Sequence, residues 1–265
     1  MINALTEEDF DKLSAQYGTP KRIIKQDYAA LAALDLIAGS SLSEILCFKG
    51  GTAIKRIYFP EARFSVDLDF EYLGELPEDI SENFIEKTME EIRENLVMIL
   101  KDNVSGSVFF ENLGEIIAGS KWGTITVDYR LPGLKFHLRI DVEFTNIRSS
   151  SYSRRRIIPH PYGGNCGEIN TLSLSDILVS KIIALYDRTT AKDLWDIYFL
   201  FLRNVKPAKR LGELVSIDLK QLIKAIEIIS KTDWMLTEDY IPKTFKVPDL
   251  KDIQNSVREC LVRIW

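Results

Sequence analysis

Two aspartates, Asp67 and Asp69, stand in the run SVDLDFEY (residues 65–72), where Val66, Leu68, Phe70 and Tyr72 alternate with polar residues. On an extended strand, residues two apart share a face, with side-chain roots about 6–7 Å apart. Like charges held so close repel unless a cation lies between them, and an all-oxygen ligand set selects a hard divalent ion, magnesium or manganese. Upstream, Gly50 and Gly51 separate an apolar run from a short helical stretch. There the backbone can approach an anion and point amide groups at it. With the Ser65 hydroxyl and the Arg63 cation, the combination describes a site for a metal-bound triphosphate. A third acid would let two-metal chemistry activate a hydroxyl. The run LRIDVEF (residues 138–144) offers Asp141 and Glu143 on one face; either fits, and position within the strand favours Asp141.

Residues 6–17 and 23–38 carry apolar positions at helical spacing, and residues 45–49 form a short strand before the glycines. Thr52 is expected to cap a helix over 53–58, which Pro60 ends. The alternation predicts a strand over 65–72, and an amphipathic helix follows over 80–101. Residues 123–131 and 135–144 read as strands joined by a Pro132-Gly133 turn. Beyond residue 150 the texture becomes helical, over roughly 173–187, 191–203, 217–230 and 248–264. The expected class is α+β: a small mixed sheet with helices over residues 1–150, then a mainly helical domain over 151–265 that completes the active-site cleft.

The 265 residues are 46% hydrophobic and 28% charged, with no apolar stretch near the roughly 20 residues needed to cross a bilayer. The acidic opening MINALTEEDF is unlike a signal peptide, so a soluble, cytoplasmic protein is expected. Three distant cysteines make no zinc or disulfide framework, and two histidines leave any metal to carboxylates. A net charge of -5 excludes a global pull toward nucleic acid. Arg154, Arg155 and Arg156, and the group Lys206, Lys209 and Arg210, are candidates for a local basic face.

The stretch from Phe48 to Tyr72 resembles the signature of the AbiEii/AbiGii toxin family, a branch of the polymerase-beta-like nucleotidyltransferase superfamily. The matching residues are Gly50, Gly51, Thr52, Ala53 and Ile54 in the turn, and Arg63, Phe64, Ser65, Asp67, Leu68, Asp69 and Phe70 in the strand. A second segment, residues 174–200, is similar to the family's later motif through Lys181, Arg188, Lys192, Asp193 and Asp196. Lys181 and Arg188 lie seven apart, hence on one face of a helix, and Asp193 is placed to orient one of them.

The resemblance implies a nucleotidyltransferase core and transfer of a nucleotide from a nucleoside triphosphate to a hydroxyl acceptor. Asp67, Asp69 and Asp141 would hold magnesium or manganese, and Asp141 would help ionise the acceptor. Gly50, Gly51, Thr52 and Ser65 would cradle the triphosphate. Lys55, Arg63, Lys181, Arg188 and Lys192 would offset its charge, with Asp193 in support. It further implies the toxin of a bacterial toxin-antitoxin or phage-defence system, a cognate antitoxin protein and the tRNA 3' end as acceptor. The alternatives are a catalytically silent nucleotide- or partner-binding module on the same scaffold, and an antibiotic-type enzyme with a small-molecule acceptor.

Overall fold

A computed structural model describes residues 1–101, 103–145, 151–208 and 217–264. The chain divides into two units, Met1–Leu172 and Ser173–Trp265. The first begins with α1 (Glu7–Tyr17), which a Thr6–Asp9 capping box starts and left-handed Gly18 ends. Helix α2 (Lys21–Ala38) is buried along nearly its whole length, its alanines allowing close approach of the elements around it. A short helix α3 (Leu42–Ile45) leads to β1 (Leu46–Lys49), and the Gly50–Ala53 turn, α4, continues as a π-helical turn over Ile54–Tyr58. Strand β2 (Leu68–Tyr72) and helix α5 (Glu82–Leu100), capped by Ser81, follow. The remaining strands are β3 (Val104–Ser105), β4 (Val108–Ala118), β5 (Trp122–Leu131), β6 (Leu134–Glu143), β7 (Tyr152–Arg156) and β8 (Glu168–Leu172).

These strands form one sheet in the order β3-β4-β5-β6-β2-β1-β8-β7, parallel where β2 meets β6 and β1 meets β8 and antiparallel elsewhere. Phe48, Leu68, Phe70, Ile125, Val127, Leu138, Ile140 and Val142 are fully buried or nearly so on one face. Alternation therefore places Lys49, Asp69, Thr124, Arg139, Asp141 and Glu143 on the other. The β5–β6 hairpin turns through Pro132 and Gly133 as expected, with Leu131 opposite Leu134 and Gly133 at φ +67. The sheet is larger than the sequence suggested, because β3, β4, β7 and β8 were not legible in it. Strands β7 and β8 join at β1, which carries the first unit past residue 150 to Leu172.

The second unit holds α6 (Leu174–Arg188), α7 (Ala191–Leu202), α8 (Leu219–Ile228), α9 (Lys231–Glu238) and α10 (Leu250–Ile264). Ser173, Thr190, Asp218 and Ser230 each cap the helix that follows by accepting a backbone N–H. Its core gathers Trp195 against Trp234 and Phe245, with ring centroids 6.0 and 6.3 Å apart. No described helix is long and apolar enough to cross a membrane.

Candidate active site

Strand β2 starts at Leu68, not at Ser65, because side chains take the backbone groups that a strand neighbour would have paired. The Ser65 N–H donates to Asp27 Oδ1 at 3.1 Å, and the Thr52 hydroxyl donates to the Asp67 carbonyl at 2.5 Å. Thr52 is thus not the expected helix cap; it ties the glycine corner to the residue before β2. Asp67 stands just ahead of the strand and Asp69 within it, both half-buried. Gly50 has φ +78, a left-handed conformation, and a Cβ there would collide with the Asp69 carboxylate. The glycine corner and the aspartate are therefore in contact.

The register sets a further acid beside Asp69. Asp69 lies beside Lys49 on one side and beside Asp141 on the other, while Glu143 lies beside Glu71. Glu143 forms an ion pair with Lys49. Asp141 Oδ1 accepts from the Thr124 hydroxyl at 2.5 Å and Oδ2 from the Arg139 guanidinium at 2.7 Å. Burial acts to lower the Arg139 pKa, but Asp141, Asp67 and Asp69 together raise it above its ordinary value. The Lys49 ammonium is likewise raised against burial, by Glu143, Glu71 and Asp69. One patch of the sheet therefore carries a concentrated negative field that reaches both cations.

Among the described residues, no three His, Cys, Asp or Glu side chains are placed together so as to hold a metal ion. The donor set nonetheless fits a small hard cation, since magnesium is usually held by one or two carboxylates plus substrate phosphate and water oxygens. Asp67, Asp69 and Asp141 offer oxygen donors only, and the lack of a side chain at Gly50 lets the Asp69 carboxylate pack directly against the glycine corner.

Other expected contacts fall elsewhere. Lys55 is buried, its ammonium donating to the carbonyls of Pro60 and Ala62 at 3.0 and 2.9 Å and lying 4.2 Å from the Phe64 ring centroid. Burial lowers its pKa to about 7. Lys55, expected to meet phosphate, thus braces the 59–64 loop through its terminal amine. Arg63 is also buried and donates to the Phe64 carbonyl at 3.1 Å.

In the second unit, Lys181 is buried and bridges Asp193 at 3.0 Å and Asp196 at 2.8 Å. Arg188 binds Asp193 through two bonds of 2.7 and 2.9 Å, and Thr190 donates to it at 2.6 Å. Burial would raise the Asp193 pKa, but Lys181 and Arg188 hold it well below the usual carboxylate range. Asp193 thus orients both cations, not one. Lys192 lies over the Tyr240 ring, 3.9 Å from its centroid.

Arg154, Arg155 and Arg156 are exposed on the edge strand β7, where Arg154 pairs with Glu44 and Arg155 stacks on Tyr58. Lys206 is described, whereas Lys209 and Arg210 lie outside the described residues.

Sequence reasoning missed Lys49, Thr124 and Arg139. Arg139 had a signal, since it stands two residues before Asp141 on the same strand face. It also missed a buried network that fixes the approach to Asp67. Asp27 pairs with Arg56, Tyr162 donates to Asp27 Oδ2 at 2.7 Å, and Arg56 donates to the His160 carbonyl at 2.6 Å.

No curated protein sequence matches the chain. Among solved structures, the chain is similar to MenT4, a nucleotidyltransferase toxin from Mycobacterium tuberculosis H37Rv, at 16% identity and a TM-score of 0.61, over 97% of this chain and 88% of that one. It is also similar to JHP933 from Helicobacter pylori, at 17% identity and a TM-score of 0.56, over 93% of each chain. At these identities the likeness shows a shared fold. The sequence also matches, over residues 32–254, the family described as nucleotidyl transferase AbiEii toxin of type IV toxin-antitoxin systems, so this chain belongs to the AbiEii family of nucleotidyltransferase toxins.

Proposed function

We propose that this protein transfers a nucleotide from a nucleoside triphosphate to a hydroxyl at the 3' end of tRNA, with Asp67, Asp69 and Asp141 as its metal-binding acids. The observation that carries this reading is the register that sets Asp141 beside Asp69, with Gly50 packed against the Asp69 carboxylate. A magnesium or manganese ion held by these acids would neutralise phosphate charge and lower the pKa of the acceptor hydroxyl. Amides of the Gly50–Gly51 corner and the Ser65 hydroxyl bind the triphosphate. The acceptor oxygen attacks the α-phosphorus, its proton passes toward Asp141, and pyrophosphate leaves. The Thr124 hydroxyl and Arg139 fix the orientation of Asp141, and positioning with electrostatics carries most of the rate.

An RNA acceptor is supported by the exposed arginines of β7 and by membership of a toxin family. The family also supports an antitoxin partner, and a protein using nucleoside triphosphate and tRNA would meet both in the cytoplasm. The test is incubation of the protein with labelled nucleoside triphosphates, magnesium and total RNA. Label in the tRNA fraction that disappears on chelation is expected. Bound nucleotide without product would favour a silent module, and label confined to small molecules would favour an antibiotic-type acceptor.

A further inference from the structure

The outer face of the sheet continues beyond Asp141 onto β5, where an aromatic ring is set in the open. Trp122 is two residues from Thr124 on the same strand, and Thr124 bonds Asp141, so the indole shares the face of the acids. Its register partner is Glu143, which makes it a diagonal neighbour of Asp141, about 7–8 Å away by backbone spacing. The side chain is 46% exposed, and neighbouring Ile117, opposite Thr124, is 61% exposed. Gly119 makes room for it: a Cβ at that position would stand 2.7 Å from indole atoms. The Gly119 N–H also donates to the Trp122 carbonyl at 2.8 Å, closing the turn that carries the exposed Lys121. The ring is thus seated on backbone.

The order of strands gives this position a direction. The glycine corner follows β1, Asp69 is on β2, Asp141 on β6 and Trp122 on β5. If the triphosphate lies at the glycine end, as the proposed function holds, Trp122 lies at the opposite end, where the attacking hydroxyl must enter. We propose that Trp122 is a stacking platform for a base at the single-stranded 3' end of the acceptor RNA, with Lys121 beside it for a backbone phosphate. This assignment rests on the nucleotidyl-transfer reading and adds the acceptor's path to it. Base-on-aromatic stacking tolerates any base, so the platform contributes affinity and position without selecting sequence.

The test compares the full-length protein with Trp122→Ala and Trp122→Phe. Two quantities are measured: binding of a short, fluorescently labelled single-stranded oligoribonucleotide without nucleotide, and the KM values for nucleoside triphosphate and RNA. Trp122→Ala should weaken oligonucleotide binding and raise the RNA KM by roughly tenfold or more. The triphosphate KM should stay unchanged, and Trp122→Phe should restore most of the RNA affinity. Unchanged RNA affinity in Trp122→Ala, or a rise confined to the triphosphate KM, overturns the platform while leaving transfer intact. Oligonucleotide binding that depends on Trp122 in a protein showing no transfer to RNA supports the platform and counts against the transfer reading.

Discussion

The two units each gather carboxylates around basic residues, yet they treat charge in opposite ways. In the second unit Asp193 is fully buried and answered by Lys181, Arg188 and Thr190, and its neighbour Asp196 is held by the same lysine. In the first, Asp67, Asp69 and Asp141 are themselves half-buried, and they bear jointly on Arg139. A buried pair leaves little field for a ligand, because its charges are already matched. An open acid row keeps its field where a cation and a polyphosphate can reach it. Composition alone would not separate the two, since both are built from Asp, Lys and Arg.

The strongest way to break this contrast is Asp67→Ala combined with Asp69→Ala. Transfer of labelled nucleotide should fall by about 10³-fold or more, on the scale of losing a principal electrostatic stabiliser. Thermal stability should change far less, by about 1 kcal/mol, as for an average substitution. The same operation in the closed cluster should invert the outcome. Asp193→Ala leaves Lys181 buried with Asp196 alone, and losing a partner from a buried pair costs about 3–5 kcal/mol. Denaturant unfolding reads this directly; a cost near zero would remove the distinction between the clusters.

Most of the elements that position the acid row were legible from periodicity: α1, α2, β1, α5, β5 and β6 lie within a few residues of expectation. What was not legible depends on long-range pairing. Strand β4 carries two register shifts opposite β5, so its apolar positions do not alternate cleanly. Strand β7, YSRRR, is exposed throughout and has no hydrophobic face to announce it. Asp27 carries no signal of its own in the sequence, and only the fold shows it binding Arg56, Tyr162 and the Ser65 amide. Register also distinguishes Asp141 from Glu143, since both share a face of β6 and only Asp141 lies beside Asp69.

The contact between the glycine corner and the acid row is sharpened by Gly50→Ala. Alanine at φ +78 strains the backbone by about 1–3 kcal/mol, and its Cβ must push the Asp69 carboxylate aside. Displacing a catalytic group by about 1 Å costs on the order of 10² in rate. A modest loss of stability with a larger loss of transfer is therefore expected in the same variant. Full activity in Gly50→Ala would detach the glycine corner from the chemistry.

The smallest effect is one of pH, and it belongs to the closed cluster. Lys181 and Arg188 lower the Asp193 pKa in the folded protein below its unfolded value, near 3.8. The unfolded chain therefore binds the proton more readily, and stability rises with pH across the interval between the two values. The contribution is complete above the unfolded pKa and is lost as pH falls through the folded one. Each unit of lowering is worth about 1.4 kcal/mol. Asp193→Asn keeps the shape and removes the titration, so its stability should fall less steeply than wild type as pH drops below about 4. Denaturant midpoints measured from neutral pH downward should converge between the two proteins at the acid end; parallel curves would show that Asp193 is not the group whose proton the second unit resists.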